Sequence, residues 1–327
     1  MSVLPSSLSL RSSWVASMSD GATAVVPVDL DGVRIDRALA VLGGLTRAQT
    51  RAMIESKDVL LNGAEVRRST LVASGDVIVY TIPEVGGDLI PEPVAFTVVA
   101  DSDDILVIDK PAGVVVHPGA GNQTGTLAHG LAHQYADLAR LGIEHRWGLV
   151  HRLDRETSGL LLVARTVEMH GYLQEELRNR TISRTYLALV LGHLDAATGT
   201  IEAPIGRDPL RPTRMAVVRD GRPSRTHYRR LAEWSDCTLV EIHLETGRTH
   251  QIRVHFSSIG HGVVGDRIYA EREVAGGDPG RVWLHSIRLR FTLPGGEERE
   301  AIAALPDDLR ASLRELGEPS SGELPAL

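Results

Sequence analysis

The polar segment HRLDRETSG at 151–159 limits the fold of this chain more than any other stretch. It places one carboxylate, Asp154, beside a histidine and two arginines, and apolar runs flank it at 147–150 and 160–164. A polar turn between two strand-like runs holds its side chains at the edge of a core, where catalytic groups are often found. The simpler interpretation is a salt-bridged aspartate in a loop, because the rest of the segment forms an ordinary turn.

Three more motifs lie along the chain: VHPGAG at 116–121, TGRTHQIRVH at 246–255 and GDRIYA at 265–270. Together with HRLDRETSGLLLVA at 151–164, they resemble the signatures of the RluA-type family of pseudouridine synthases. The resemblance extends over residues 27–310 and is strongest to the branch that acts on large-subunit ribosomal RNA and carries an N-terminal RNA-binding domain. It implies an RNA-modifying isomerase that needs no cofactor and no metal.

The resemblance assigns two residues to the chemical step. Pseudouridine formation breaks the bond from ribose to nitrogen 1 of uracil, rotates the base and rejoins it through carbon 5. An ionised nucleophile or base is required, and a nearby guanidinium favours the charged carboxylate. Asp154 matches the catalytic aspartate and Arg248 the basic residue that pairs with it. Asp154 could add to the uracil ring, attack the ribose or assist proton removal from the ribose, and Arg248 could instead be an ordinary arginine at a strand end.

The resemblance also implies residues that hold the base. Tyr186 matches the family's active-site tyrosine, which stacks on uracil and helps to move the carbon 5 proton. Ile252 matches the apolar residue on the other side of the base, and Arg152 matches the arginine that fills the space left by a flipped base. His151 and Gln251 complete the substrate-binding set and support the geometry of their motifs. Tyr186 and Ile252 could equally be core residues of strands.

Composition sets wider limits on the chain. A length of 327 residues suggests two domains, and a net charge of −7 argues against a nucleic-acid binder unless the basic residues cluster. They do cluster, because residues 207–230 carry eight arginines and two aspartates. One cysteine, Cys237, excludes an intramolecular disulfide, and thirteen histidines without an HExxH pattern make a metal site unexpected.

The order of strand-like and helical segments predicts an α+β fold. Many strands in hairpin order predict a mixed, mainly antiparallel sheet in the catalytic domain, with a small α/β domain at the N-terminus. Met18 is a candidate true start, which peptides from residues 1–17 in mass spectra of the natural protein would exclude. The expected divisions are a disordered leader at 1–26, a small RNA-binding domain at 27–84, a linker at 85–95, the catalytic domain at 96–311 and a flexible tail at 312–327.

Several local patterns give testable secondary structure. Thr46 followed by Gln49 is a capping-box pattern for a helix, and Asn62-Gly63 predicts a tight hairpin turn. Residues 126–140 are expected to form one helix, and TGRTHQIRVH is expected to be anchored on a strand.

Basic residues on two surfaces are candidates for RNA contact. The N-terminal domain resembles the small RNA-binding domain first recognised in a ribosomal small-subunit protein, which contacts phosphates without reading sequence. The alternative for either surface is a set of solvated charges. The candidates are Arg37, Arg47, Arg51 and Lys57 in the first domain, and Arg211 and Arg214 in the second.

No run of the sequence has the length of a membrane span. The resemblance implies a cytoplasmic enzyme whose partner is ribosomal RNA, free or within an assembling large subunit, and a monomer is the default expectation. Two other functions compete with a pseudouridine synthase. One is an inactive RNA-binding factor in ribosome assembly. The other is a glycosidase or nucleoside hydrolase, which commonly uses two carboxylates and for which Glu156 is the nearby second acid.

Overall fold

The computed structural model describes residues 22–43, 45, 47–81, 89–119, 121–211, 213–270 and 276–325, without the side chains at 47–49 and 52. Two compact units divide the chain, residues 1–87 and residues 88–327. Each unit has its own hydrophobic core.

The first unit is a small antiparallel sheet with two helices. Its elements in chain order are β1 (Ala22–Val25), α1 (Ile35–Gly43), α2 (Arg47–Glu55), β2 (Val59–Leu61), β3 (Ala64–Glu65) and β4 (Val77–Tyr80). The strand order in the sheet is β1-β4-β2-β3. Asn62 and Gly63 both have positive φ, 51° and 83°, which is the backbone that a two-residue hairpin turn needs.

The expected leader at 1–26 is wrong at its end, because Ala22–Val25 pairs with Val77–Tyr80 in this sheet. Residues 22–25 are ordered because their backbone groups pair in the sheet. The prediction extended the leader over them because the residues before them are serine-rich. The leader's first 21 residues and the predicted cap Thr46 lie outside the described residues.

The second unit is built on a ten-stranded sheet. Eight strands follow the order β16-β12-β13-β8-β14-β7-β6-β5, and the other two, β15 and β9, pair with β14 and β12. Of the described strand pairs, β7 with β14 is parallel and the others are antiparallel. The predicted α+β class with a mixed, mainly antiparallel sheet is confirmed. The strands are β5 (Thr97–Asp101), β6 (Ile105–Lys110), β7 (Ser158–Ala164), β8 (Ser183–Leu191), β9 (Thr198–Glu202), β10 (Ile205–Arg207), β11 (Met215–Val217), β12 (Arg225–Glu233), β13 (Cys237–Leu244), β14 (Leu284–Thr292), β15 (Glu298–Ile302) and β16 (Ser321–Gly322).

Strand β7 is apolar from Leu160 to Ala164, and both faces of the sheet are covered there. Leu161 and Val163 pack in one core cluster, and Leu160 and Leu162 pack in another. Successive side chains of a strand point to opposite faces, so a strand covered on both sides needs an apolar residue at every position. The covering helices are α3 (Leu127–Gln134), α4 (Ala136–Arg140), α5 (Val167–Asn179), α6 (Gln251–Ser258) and α7 (Asp307–Leu316).

The single helix expected at 126–140 is wrong, because the chain breaks at Tyr135 into α3 and α4. Tyr135 has an extended backbone, with φ −130° and ψ 94°. Its hydroxyl donates to Asp101 at 3.0 Å and the Arg165 guanidinium lies over its ring at 5.3 Å. These contacts hold the ring at the helix junction, an arrangement that apolar periodicity alone does not reveal.

The expected flexible tail at 312–327 is also wrong over most of its length. Helix α7 continues to Leu316, and Trp234 Nε1 donates to the carbonyl of Gly317 at 2.9 Å. Ser321 and Gly322 then pair with β12 as an edge strand. The short, glycine-containing sequence hides this strand because it has no apolar alternation.

The last residues of the expected linker at 85–95 belong to the second unit. Glu92 accepts the N–H of Gly125 at 2.8 Å, and Val94 lies so close to Gly130 that a Cβ there would come within 2.7 Å of the Val94 carbonyl. Residues 82–88 lie outside the described residues. No described helix is long and apolar enough to cross a membrane.

A small antiparallel pair, β10 with β11, carries the first part of the basic stretch. Ile205 pairs with Val217 and Arg207 with Met215. Leu210 in the connecting segment is 91% exposed. We call residues 205–211 and 213–217 the arginine hairpin, because Arg207, Arg211 and Arg214 lie in it.

Candidate active site

A buried lysine fixes the turn that carries Asp154. Lys110 has no exposed surface, and its ammonium group donates to the carbonyls of Pro111 at 2.7 Å, Val114 at 2.9 Å and Arg155 at 3.2 Å. Three carbonyls match the three donors of an ammonium group. Burial lowers the pKa of Lys110 to about 7, and the negative charge of Asp154 opposes that shift. The segment 110–114 and the 151–159 turn are thereby joined at one point.

The end of the turn is fixed by a close approach of two strands. Gly159 has φ 112°, and a Cβ at this position would lie 2.3 Å from the Ser286 carbonyl oxygen. Strand β7 is parallel to β14 here, with Ser286 opposite Gly159. A glycine is therefore required where the turn enters the sheet.

Asp154 is paired with Arg253 and not with Arg248. Arg253 Nη1 donates to Asp154 Oδ2 at 3.2 Å, whereas the guanidinium of Arg248 reaches the Pro223 carbonyl at 3.4 Å and 3.5 Å. The expected pairing of Arg248 with Asp154 is therefore wrong. Its physical reason is that TGRTHQIRVH is not a strand: helix α6 begins at Gln251, so Arg253 points into the core while Arg248 precedes the helix.

Arg253 is itself held by a second carboxylate. It donates to Asp266 through Nε at 2.6 Å and through Nη2 at 2.9 Å, and neither side chain is more than 5% exposed. Burial alone would lower the pKa of Arg253, but the hydrogen bonds and charges of Asp266 and Asp154 raise it above its ordinary value. The guanidinium is thus a fixed cation, which favours the ionised form of the carboxyl beside it.

Tyr186 and Ile252 line the same cleft as Asp154. Tyr186 lies on β8 between Ile242 and Ser286 of the neighbouring strands, and its side chain is buried. Burial raises the pKa of Tyr186; Arg184 opposes this and Asp154 adds to it. The phenol is therefore protonated at neutral pH. Ile252 is buried in α6 and not in a strand, because its motif is helical.

Gln251 is a structural residue and not a substrate ligand. Its amide oxygen accepts from Thr246 Oγ1 at 2.7 Å and from Arg248 N at 3.0 Å. Its amide nitrogen donates to Arg225 O and Thr226 Oγ1, both at 3.0 Å. All the hydrogen-bonding capacity of the buried amide is therefore directed to the protein, which corrects its expected place in the substrate-binding set.

His151 and Arg152 lie next to each other in the turn but in different environments. His151 Nε2 accepts the N–H of Leu162 at 3.0 Å, and burial, together with Arg184, lowers its pKa to about 3. A neutral histidine that accepts from β7 orients the turn. Arg152 is exposed and lines the cleft, where its charge faces solvent.

The cleft above Asp154 has a volume of about 630 Å³ and is strongly basic. Two acids, Asp154 and Glu245, line it among the described residues. Glu245 is already paired with Arg180 at 2.8 Å and with His227 at 2.7 Å. The arginines that line the cleft come from separate segments of the chain: Arg146, Arg152, Arg178, Arg180, Arg184, Arg222, Arg248 and Arg253.

Most of these arginines, including Arg253, were not predicted as site residues from the sequence. Arg178 and Arg180 were visible as the basic end of a helix, and Arg253 was visible in the same motif as Arg248. Helix α6, which turns Arg253 into the core, has eight residues, and these are too few to show a clear helical period in the sequence.

The candidate RNA residues of the first unit are partly ion-paired. Arg37 is exposed, Arg51 pairs with Glu55 at 2.7 Å, and Lys57 pairs with Glu65 at 2.9 Å. The side chain of Arg47 lies outside the described residues. In the arginine hairpin, Arg211 is exposed and Arg214 is partly buried. In the part of the chain that the structure describes, no cluster of three His, Cys, Asp or Glu side chains suits a metal ion.

Comparison with known proteins identifies the family. The sequence model of the RNA pseudouridylate synthase family matches residues 104–258. An uncharacterized RNA pseudouridine synthase of Chloroflexus aurantiacus is 47% identical over 91% of this chain and 94% of that protein. Ribosomal large subunit pseudouridine synthase D of Nitrosomonas europaea is 41% identical over 88% of this chain and 86% of that protein.

A solved structure agrees with the sequence relatives. Human RNA Pseudouridylate Synthase Domain Containing 1 covers 72% of this chain and 93% of its own, with 29% identity and a TM-score of 0.57. With the ion pair of Asp154, the tyrosine beside it and the basic cleft already described, these similarities lead to one conclusion: the chain belongs to the RNA pseudouridylate synthase family and is an RNA pseudouridine synthase.

Proposed function

We propose that this enzyme converts specific uridines of large-subunit ribosomal RNA to pseudouridine. The observation that carries the proposal is the Asp154–Arg253 pair at 3.2 Å, in a cleft lined mainly by arginines and beside a buried tyrosine. The choice of RNA is supported by relatives about 40% identical that are named ribosomal large subunit pseudouridine synthase D. We include in the proposal a cytoplasmic location and a monomeric enzyme.

In the proposed reaction, Asp154 is the ionised group that initiates cleavage of the glycosidic bond. Arg253 occupies Oδ2, which leaves Oδ1 for the substrate. Tyr186, whose phenol stays protonated, stacks on the uracil and is placed to assist transfer of the carbon 5 proton. Ile252 packs the opposite side of the base. Holding the detached base between two side chains allows it to rotate without escaping.

The arginines of the cleft would bind the RNA backbone around the target nucleotide. Arg178, Arg180 and Arg222 are separated from Asp154 in sequence but line the same cleft. Several guanidinium groups in one cleft attract phosphates, and such contacts orient RNA without reading its sequence. Arg152 is exposed in the catalytic turn, where it can fill the gap left by a flipped base. Arg248 fits a phosphate ligand better than a partner for Asp154, because it lines the cleft while its guanidinium lies at the Pro223 carbonyl and Arg253 occupies Asp154.

Pseudouridine mapping tests the function and identifies its target. Total RNA from cells with and without the gene is treated with carbodiimide, and reverse-transcription stops are compared. We expect stops to disappear from large-subunit RNA in the deletion strain, and to return with the wild-type gene but not with Asp154→Asn. Loss of stops from transfer RNA or small-subunit RNA alone would replace the proposed substrate. If no stop is lost while the protein still sediments with ribosomal particles, the assembly-factor function is favoured.

The first unit is proposed to raise RNA affinity and not to take part in chemistry. Its own core and its separate sheet support independent folding of the two units. Deleting residues 1–87 should therefore weaken RNA binding about tenfold or more, because several phosphate contacts are lost. The thermal unfolding of residues 88–327 should remain cooperative. A truncated protein without a cooperative transition would show that the catalytic unit depends on the first one.

A further inference from the structure

A chain of contacts leads from the arginine hairpin to the second oxygen of Asp154. The backbone N–H of Met215, in β11 of the hairpin, donates to the Tyr269 hydroxyl oxygen at 3.0 Å. The same oxygen lies 2.7 Å from His250 Nδ1. His250 Nε2 lies 4.0 Å from Asp154 Oδ1, the oxygen that Arg253 leaves open.

The hydrogen bonds determine which nitrogen of His250 carries its proton. Because Tyr269 Oη accepts from Met215, the hydroxyl satisfies all its contacts when it donates its own proton to His250 Nδ1. Burial lowers the pKa of His250, although Asp154 opposes the shift, so the imidazole is neutral at pH 7. A neutral ring that accepts at Nδ1 carries its proton on Nε2. That N–H is the group nearest to Asp154 Oδ1.

The ring of Tyr269 also holds the two residues that face Asp154. It contacts the His250 ring edge to face, with centroids 5.5 Å apart, and Arg253 Cζ lies 5.0 Å from its centroid. His250 has the left-handed backbone, with φ 57°, at the residue before α6. A non-glycine residue rarely adopts that conformation and keeps it only where surrounding contacts hold it. The position of the imidazole is therefore set by its neighbours.

We propose that His250 is a positioning residue for Asp154, and that Tyr269 fixes its tautomer and connects it to the arginine hairpin. The proposal rests on the proposed function. A distance of 4.0 Å is too long for a hydrogen bond, so the donor must move about 1 Å closer to make one. RNA bound to the hairpin acts on Met215 and, through Tyr269, on His250. Asp154 would then be oriented through both oxygens, Oδ2 by Arg253 and one lone pair of Oδ1 by His250, while the second lone pair of Oδ1 stays available to the substrate.

Substitutions that remove single hydrogen-bonding groups test this role. Tyr269→Phe keeps the ring and removes the hydroxyl. It should lower the single-turnover rate at saturating RNA about tenfold and leave KM within twofold of the wild-type value. His250→Ala should lower the rate at least as much, and His250→Gln, which keeps a donor near the Nε2 position, should recover part of it. In the His250→Ala background, Tyr269→Phe should have no further effect on the rate, because the imidazole through which Tyr269 acts on Asp154 is already absent.

The matched control is Tyr172→Phe, which removes another hydrogen-bonded tyrosine hydroxyl, one that donates to the Thr292 carbonyl at 3.1 Å and does not line the cleft. Its rate should stay within twofold of the wild type. A Tyr269→Phe enzyme as fast as this control would overturn the proposal. So would equal rate losses from Tyr269→Phe in the presence and absence of His250.

The tautomer gives a measurement that does not depend on activity. In a spectrum of protein labelled with ¹⁵N-histidine, the His250 signals, assigned by their loss in His250→Gln, should show the proton on Nε2. Tyr269→Phe should change that pattern. A wild-type proton on Nδ1 would overturn the positioning role even in a fully active enzyme. A wild-type enzyme with the expected tautomer that forms no pseudouridine would instead contradict the proposed function.

Discussion

Replacing Asp154 with asparagine is expected to lower the rate of pseudouridine formation by about 10³-fold or more. Asparagine has the shape of aspartate and retains an oxygen for Arg253, but it has no negative charge to act as a nucleophile or base. RNA affinity should remain within a few-fold of the wild type, because the arginines of the cleft are unchanged. Single-turnover product formation and RNA titration measure the two quantities separately.

Glu156→Gln is the control for this prediction. Glu156 lies two residues from Asp154, its side chain is 43% exposed, and it does not line the cleft. It should form pseudouridine at close to the wild-type rate. If Glu156→Gln were as inactive as Asp154→Asn and free uracil accumulated in the wild-type reaction, a two-carboxylate hydrolase would be indicated. Near-normal activity of Asp154→Asn would remove Asp154 from the chemical step.

Replacing Arg253 with methionine is expected to cause the second large effect, on stability as well as on rate. The change leaves Asp154 and Asp266 without the guanidinium that both of them contact. Removing one partner of a buried ion pair commonly costs about 3–5 kcal/mol, because a charge remains buried without compensation. Denaturant titration should show this loss in the free energy of unfolding. The rate measured under conditions where the variant is still folded should also fall strongly.

Arg248→Met separates the effects of pairing from those of basic charge. Among the described residues, the Arg248 guanidinium hydrogen-bonds only to the Pro223 carbonyl, and both distances are long, so its loss should change the free energy of unfolding by about 0.5 kcal/mol or less. RNA binding should weaken several-fold, because a guanidinium leaves the cleft. Equal destabilisation by Arg248→Met and Arg253→Met would contradict the pairing of Asp154 with Arg253.

The central motif could be predicted from sequence because its determinants are local. Strand β7 is apolar from Leu160 to Ala164, and Asp154, in the polar turn before it, lines the cleft. The partner of Asp154 could not be predicted in this way. TGRTHQIRVH contains two candidate arginines, and the choice between them depends on where α6 begins and on the buried Asp266 in a different motif.

The basic cleft was also beyond local prediction. Five of its arginines belong to the turn before the catalytic motif, the end of α5, strand β8 and the segment that follows the arginine hairpin: Arg146, Arg178, Arg180, Arg184 and Arg222. Each looks like an ordinary surface residue in its own segment. They face one another only because the sheet brings these segments together, and a charge count along the sequence does not contain that information.

The Asp154–Arg253 pair joins residues 99 positions apart, and this has a consequence for the enzyme during its own synthesis. A growing chain that already contains the catalytic turn still lacks the cation that holds it. Helix α6 and Asp266 must both leave the ribosome before the pair can form. A nascent or prematurely terminated chain is therefore unable to modify RNA, and catalytic competence begins only when nearly the whole polypeptide has been made and folded.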